Sequence, residues 1–245
     1  MTDRQDTLLL IADIAGYTRF MKFHRASLAH AQEIVARLLE VVIDAAGPAL
    51  RLAKLEGDAA FFYMPLPVDG RIDPALLASH AGAIYRAFHA RAQDLRVNTL
   101  CPCDGCQQAG NLRIKLVGHA GDVAMQKVKQ LTELAGVDVI VVHRMLKNDV
   151  PLPEYLLVTA PVHAHLGSPL REQATPLTLD LDGIGATNAF YVDLTAIGAL
   201  PPPPPRKRSP LARLARHVSL ALRTLPYELG LRKACVGYRN VPDTN

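Results

Sequence analysis

The sequence predicts an α+β protein in which helices pack against a mostly antiparallel sheet. Short apolar segments with strand character alternate along the chain with longer segments of helical periodicity. Two of the strand segments flank Gly57, a residue typical of a tight turn. Of the 245 residues, 49% are apolar, which is enough for one sizeable core.

The individual elements follow from the spacing of apolar residues. Before residue 100 the patterns predict a strand at 7–13, a helix at about 27–46, a hairpin of strands 50–56 and 58–63, and a helix at about 74–95. After residue 110 they predict strands at 113–119 and 122–125, a helix near 138–146, a strand near 155–159 and a last strand at 189–194.

Two short segments place acidic residues at the ends of predicted strands. They are Asp13-Ile14-Ala15-Gly16-Tyr17-Thr18 and Lys54-Leu55-Glu56-Gly57-Asp58. An Asp at a strand end, followed by small residues and a Gly, puts a carboxylate and free backbone N–H groups where a metal-bound polyphosphate can be held. The second Asp completes a pair suited to two-metal phosphoryl chemistry. Taken singly, Asp13 also fits a helix N-cap, and Lys54 fits a solvated charge.

Both segments resemble motifs of the class III nucleotidyl cyclase catalytic domain, the adenylate and guanylate cyclase family, in a divergent bacterial-type branch. In that family the first strand ends in Asp-Ile-x-Gly-Phe-Thr, and a hairpin reads Lys-x-x-Gly-Asp. The resemblance runs from about Thr7 to Leu200. It implies a ferredoxin-like cyclase fold and a homodimer with sites across its interface. It also implies that a purine nucleoside triphosphate is converted into a 3′,5′-cyclic nucleotide and pyrophosphate.

The resemblance also implies roles for individual residues. It implies that Asp13 and Asp58 hold two Mg²⁺ or Mn²⁺ ions. It implies that Lys54 and Glu133 contact the purine, and that Arg144 binds the phosphates and takes part in the reaction. Further substrate contacts are implied for Ile14, Gly16 and Thr18. Glu133 stands where the family usually has Asp. The segment 118–123 resembles a strand pair of the family in which the glycines are structural. We expect His119 and His143 to be packed or hydrogen-bonded rather than catalytic.

One position departs from the family pattern. Ile140 stands where the family has an Asn that contacts the ribose, and an apolar side chain leaves a ribose oxygen without a partner. Losing one such contact raises a reaction barrier by about 2.7–4 kcal/mol. Two functions therefore stay open: a divergent cyclase, or a catalytically degenerate regulatory or interaction module that acts through its tail. Arg144 equally fits a surface ion pair with Glu133 or Asp149.

A cysteine cluster is not explained by this resemblance. Cys101, Cys103 and Cys106 lie within six residues, separated by Pro and Gly. Three thiols at this spacing can converge on a structural Zn²⁺, with a fourth ligand from Cys235, His119 or another His, or with that position left to solvent. The alternative is a loop with reduced cysteines. The cluster predicts a cysteine-rich insertion near residues 100–107, and it favours a reducing compartment over a disulfide framework.

The carboxyl-terminal segment differs in composition from the rest of the chain. We therefore predict a cyclase-like domain over 1–200, and a proline-rich linker with a basic amphipathic tail over 201–245. The tail contains nine Lys and Arg against two acidic residues, a net charge of +7, whereas the whole chain carries +4. Five apolar residues form one helical stripe: Leu211, Leu214, Val218, Leu222 and Leu225.

That stripe leaves four occupants open: an anionic membrane surface, a protein partner, this protein's own domain, or a second subunit. Nucleic acid is disfavoured, since the tail has few aromatic residues for base stacking. The amino terminus has no basic n-region, and we find no apolar segment long enough to span a bilayer. We therefore expect a cytoplasmic protein, with peripheral membrane association as an option through the tail.

Overall fold

The computed structural model describes residues 4–23, 28–67, 69–98, 108–129, 131–197, 207 and 209–231. Two compact units divide the chain. The first contains Met1–Ala15, Val41–Phe88 and Arg113–Pro201, and the second contains Gly16–Glu40, His89–Leu112 and Pro202–Asn245. The sheet lies in the first unit, as do Asp13, Lys54, Asp58, Glu133 and Arg144.

The sheet of the first unit has eight strands. They are β1 (Arg4–Ala15), β2 (Arg51–Glu56), β3 (Ala59–Pro65), β4 (Arg113–Val128), β5 (Leu131–Ala135), β6 (Tyr155–Thr159), β7 (Thr175–Leu181) and β8 (Gly185–Asp193). Their order is β2-β3-β1-β4-β6-β8-β7, and β5 pairs with β4. Every pairing is antiparallel except that of β4 with β6. The predicted fold class is confirmed.

The helices agree with the apolar periodicity where the pattern is long. They are α1 (Tyr17–Phe23), α2 (Leu28–Ala46), α3 (Pro74–Asn98), α4 (Val137–Arg144), α5 (Ala160–His163), α6 (Ser168–Gln173), α7 (Leu194–Ile197) and α8 (Pro210–Glu228), with a 3₁₀ turn at Ala109–Asn111. The start of α3 is set by its capping residue, because the side chain of Asp73 accepts a hydrogen bond from the N–H of Ala75 at 2.9 Å.

The hydrophobic core surrounds β1. Leu9 and Ile11 lie in a buried cluster with Phe61 of β3 and with Val141 and Val142 of α4. Residues 8 and 10, which alternate with them, are also fully buried. Because both faces of β1 are covered, its sequence is a continuous apolar run rather than an alternating one. Helix α4 packs on β1 and β4, and this packing positions the residues of the candidate site.

The prediction of two strands at 113–119 and 122–125 is wrong. Residues Arg113–Val128 form one strand, whose register with β1 runs from Ala15 opposite Arg113 to Arg4 opposite Ala124. Gly121-Asp122 has the composition of a turn, but β1 supplies backbone partners on both sides of this dipeptide, so the strand continues. The chain reverses after it, near Lys129, whose φ is +55°.

Strands β5 and β7 were not predicted. Each is short, and β7 contains Pro176, a residue that argues against a central strand. The topology explains its presence, because β7 is the last strand in the sheet order and pairs only with β8 along that order. An edge position tolerates a residue that lacks a backbone N–H.

Candidate functional site

Two acidic side chains meet at the carboxyl end of β1. Asp13 stands opposite Ala59 of β3 and Lys115 of β4. Asp58 follows Gly57, whose φ of +70° permits the tight turn between β2 and β3. The N–H of Ile14 donates a hydrogen bond to the carbonyl oxygen of Asp58 at 3.2 Å, which ties this turn to the end of β1.

The two carboxylates influence each other. Burial and, to a smaller extent, the neighbouring charge of Asp13 together raise the pKa of Asp58 to about 6. Burial also raises the pKa of Asp13, against the opposing charge of Lys115. Both ionised forms are therefore destabilised in the protein alone. A divalent cation between them would offset this repulsion, and hard carboxylate oxygens suit Mg²⁺ or Mn²⁺.

The loop residues predicted to contact substrate differ in exposure. Ile14 is buried, and its N–H is taken by Asp58, so this group is not among the free donors expected from the sequence. Thr18 is exposed on α1. Gly16 has a φ of +88°, which favours glycine because it lies in the left-handed region, and its carbonyl accepts the N–H of Phe20 at 2.9 Å.

A second cluster joins β2, β5 and α4. The ammonium of Lys54 lies 3.0 Å from Glu56 and 3.8 Å from Glu133. The structure thus brings together the two residues that the resemblance assigns to the purine. A bulge between Leu52 and Lys54 interrupts the β2 register, and a bulge changes the direction of the side chains that follow it.

Glu56 connects this cluster to α4. Its carboxylate accepts a hydrogen bond from Nε2 of His143 at 2.9 Å. Burial pushes the pKa of Glu56 upward, but the hydrogen bonds from Lys54 and His143 outweigh it, so the pKa lies below its ordinary value. Nδ1 of His143 faces the carbonyl oxygen of Val139 at 2.7 Å. Because both ring nitrogens face acceptors, both hydrogen bonds form only when the ring is an imidazolium or Glu56 is protonated.

His119 lies in a different network. Its Nε2 lies 2.8 Å from the carboxylate of Asp138, and its Nδ1 lies 2.7 Å from the hydroxyl of Thr159. A neutral ring satisfies both, since Nε2–H donates to Asp138 and Nδ1 accepts from Thr159. Asp138 also accepts the N–H of Asp122 at 2.9 Å. The expectation that both histidines are hydrogen-bonded is confirmed, and this network anchors the start of α4 to β4.

The anchor requires glycine at position 121. A Cβ there would lie 2.3 Å from Cγ of Asp138, which is closer than any real contact. The expectation of a structural role for this glycine is therefore confirmed. Asp138 was not assigned a role from the sequence, although its place in the first turn of α4 is a signal for a capping or anchoring acid.

Arg144 and Ile140 lie on α4. The guanidinium of Arg144 donates to the carboxylate of Asp182, in the turn between β7 and β8, rather than to Glu133 or Asp149. The alternative prediction that Arg144 forms a surface ion pair is therefore confirmed, but the predicted partners, Glu133 and Asp149, are wrong. Both members are substantially exposed, so the pair is easily broken. Ile140 is 48% exposed, which places an apolar side chain where water or a ligand can reach it.

The predicted zinc ligands Cys101, Cys103 and Cys106 lie outside the described residues. In the part of the chain that the structure describes, no group of three or more His, Cys, Asp and Glu side chains could hold a metal ion. Asp13 and Asp58 form a pair, so a cation held by them needs further oxygen ligands from water or from a bound molecule.

The chain has the fold of class III nucleotidyl cyclase domains. It matches the adenylyl cyclase CyaB from Pseudomonas aeruginosa at 13% identity and a TM-score of 0.53, over 79% of this chain and 96% of that one. It matches the guanylate cyclase domain of RhGC from Catenaria anguillulae, in complex with GTP, at 14% identity and a TM-score of 0.54, over 78% and 97%. These likenesses show the fold alone.

A third structure is a class III adenylyl cyclase-like ATP-binding protein from Pseudomonas aeruginosa, with 15% identity and a TM-score of 0.55, over 69% of this chain and 36% of that one. Residues 35–155 match the model of a protein family of unknown function, DUF2652. The chain is 46% identical over 207 residues to the uncharacterised protein Rv2561/Rv2562 of Mycobacterium tuberculosis H37Rv, covering 84% of this chain and 94% of that protein. It belongs to the family of that mycobacterial protein.

Proposed function

We propose that this protein binds a purine nucleoside triphosphate with divalent metal ions and converts it into a 3′,5′-cyclic nucleotide and pyrophosphate. The observation that carries the proposal is the position of two partly buried carboxylates, Asp13 and Asp58, at the end of β1, where the backbone bond from Ile14 to Asp58 ties the hairpin turn to that strand. Two carboxylates that resist joint ionisation favour a bound divalent cation. The cyclase structures with the same fold support a nucleotide as the bound molecule, and one of them is named as a complex with GTP.

Asp13 and Asp58 would hold two Mg²⁺ or Mn²⁺ ions, with the remaining ligands supplied by phosphate oxygens and water. Bound there, these ions would neutralise phosphate charge and lower the pKa of the attacking hydroxyl. The carboxylates hold this position because the backbone bond between Ile14 and Asp58 fixes the hairpin turn against β1.

Lys54 and Glu133 would recognise the purine. Together they offer a donor and an acceptor whose charged atoms are 3.8 Å apart. Adenine presents N1 as an acceptor beside its amino group, and guanine presents O6 beside its N1–H, so the pair fits either purine. Because both side chains are exposed, their mutual ion pair contributes little and can be exchanged for contacts with a base. Glu56 keeps Lys54 in place from the other side.

Arg144 would bind the phosphates after leaving Asp182, because a guanidinium offers fixed paired donors for charge that builds in the transition state. In the reaction, the ribose 3′-oxygen forms a bond to the α-phosphorus. The bond from that phosphorus to the pyrophosphate oxygen breaks, and the hydroxyl proton passes to solvent.

We propose a homodimer in which Lys54, Glu133 and Arg144 of one chain complete the site of the other.

A second function is favoured by the environment of Ile140. This half-exposed apolar residue has no group that can hydrogen-bond a ribose, and Arg144 on the next turn is engaged by Asp182. Both features fit a module that binds a nucleotide without converting it. In that case the nucleotide would act as a regulatory ligand, and the carboxyl-terminal tail would be the part that acts on partners.

The test is to incubate the purified chain with each of four nucleoside triphosphates and Mn²⁺, and to read products by mass spectrometry. Asp13→Ala is the site variant, and Asp180→Ala, at an exposed position of β7, is its matched control. A cyclic product that is lost only in Asp13→Ala supports the enzyme. A metal-dependent thermal shift without product supports the nucleotide-binding module. Neither product nor shift contradicts both.

A further inference from the structure

Helix α8 exposes a continuous apolar stripe. Leu211, Leu214, Val218, Leu222 and Leu225 recur at steps of three and four residues, and their exposed fractions range from 44% for Leu225 to 79% for Leu211. Residues at this spacing share one face of a helix. Among the described residues, the side chains of this stripe are therefore exposed.

We propose that α8 lies on the surface of a membrane that contains anionic lipids. The charge around the stripe supports this occupant. The sequence Arg206-Lys207-Arg208 lies one residue before the helix, and Arg232-Lys233 follows shortly after it. No acidic residue occurs between 201 and 227. An amphipathic helix flanked by basic residues can insert its apolar face between lipid headgroups while its cationic groups attract anionic phosphates.

The length and polarity of α8 also agree with a position in the plane of the membrane. Among the described residues, no helix is long and apolar enough to cross a bilayer. With 19 residues, α8 is about 28 Å long. A helix of this length that lies flat can bring all five apolar side chains of the stripe to the same depth.

A second copy of α8 fits the stripe less well. In a coiled coil with Leu211 at an a position, the d positions are Leu214, Ala221 and Glu228. Such a seam ends on a small residue and an acid, whereas stable pairing needs large apolar residues at both positions. Two tails with a net charge of +7 each would also repel each other. A flat anionic surface meets neither difficulty.

The test measures co-sedimentation of the full-length protein with vesicles. One set contains phosphatidylcholine alone, and the other contains about 30% phosphatidylglycerol. We expect at least about tenfold stronger partitioning into the anionic vesicles, reduced when salt is raised to roughly 0.5 M. Leu214→Gln/Leu222→Gln should lower this partitioning about tenfold or more. Ala212→Gln/Ser219→Gln, which adds the same two side chains at exposed positions off the stripe, should leave it unchanged.

Removal of the flanking charge by Arg206→Gln/Lys207→Gln/Arg208→Gln should weaken anionic partitioning about tenfold or more and reduce its dependence on salt. Circular dichroism and thermal melts check that each variant folds like the parent. Equal binding to both vesicle types contradicts the proposal, as does partitioning that is insensitive to the leucine variant. If the leucine variant instead dissociates a dimer and the parent does not bind vesicles, the stripe pairs with a second copy and the proposal is overturned.

Discussion

Replacing Asp58 by Asn should stabilise the metal-free protein near neutral pH. The pKa of Asp58 is about 6 in the folded chain, against an ordinary value of 3.8. A shift of about two units corresponds to roughly 3 kcal/mol. Because this carboxyl is only half-buried, solvent screening lowers the effect to about 1 kcal/mol. Asn has nearly the same shape and no charge, so the variant avoids the repulsion from Asp13.

The pH dependence follows from the direction of this shift. Since the folded pKa is raised, the folded state keeps its proton after the unfolded state has lost it. The stabilising contribution is therefore complete below about pH 3.8, is lost as pH rises towards 6, and stays absent above it. The Asp58→Asn variant lacks this loss, so its advantage over the parent grows as pH rises from about 3.8 to 6 and is complete above that range.

Urea titrations of metal-free protein at about pH 5 and 7.5 measure both effects. We expect Asp58→Asn to exceed the parent by about 1 kcal/mol at the higher pH, which is a rise of about 2–4 °C in Tm. Its thermal shift with Mn²⁺ and nucleoside triphosphate should disappear. Asp180→Asn, on the exposed face of β7, is the matched control and should change neither quantity. An Asp58→Asn variant that is no more stable than the parent at pH 7.5 would refute the raised pKa of Asp58.

Three further variants test other parts of the site. Gly121→Ala forces a Cβ against Asp138 and should lower the free energy of unfolding, measured by urea titration, by about 1–3 kcal/mol. An unchanged free energy of unfolding would contradict the close approach of the two residues. Asp182→Ala should cost less than about 1 kcal/mol of stability, yet tighten nucleotide binding measured by calorimetry, because Arg144 is released. Glu56→Gln should be less stable than the parent above about pH 4.5, because the pKa of Glu56 is lowered in the folded protein. This difference in stability should disappear as pH falls. A difference that does not depend on pH would contradict the ion pairs of Glu56.

Much of the fold could be predicted from the sequence where the signal is local. The bounds of α2 and α3 and of strand β6 agree with the apolar periodicity to within a few residues. The unbroken length of β4 could not be predicted, because it depends on backbone partners from β1, which lies about 100 residues away in the chain. Strand β7 was missed for a similar reason, since only the sheet order shows that it lies at an edge.

The residue order alone establishes which chemical groups are available. The two aspartate segments, the alternation that puts Lys54 and Glu56 on one face of a strand, and the basic charge of the tail are all visible in the residue order. These properties are local, because they depend on residue type and on spacings of a few residues. Through the resemblance of the two aspartate segments to class III cyclase motifs, they led to the prediction of a cyclase-like fold and of an acidic pair at the end of its first strand.

Which of these groups interact depends on how the whole chain folds. His143 reaches Glu56 across 87 residues of sequence, and Arg144 reaches Asp182 across 38. The close approach of Gly121 to Asp138 and the coupling of Asp13 to Asp58 likewise depend on how α4 and the β2–β3 hairpin pack. Such partners depend on strand register and helix packing, which are properties of the whole fold, and a pattern read along the chain contains no distance between them.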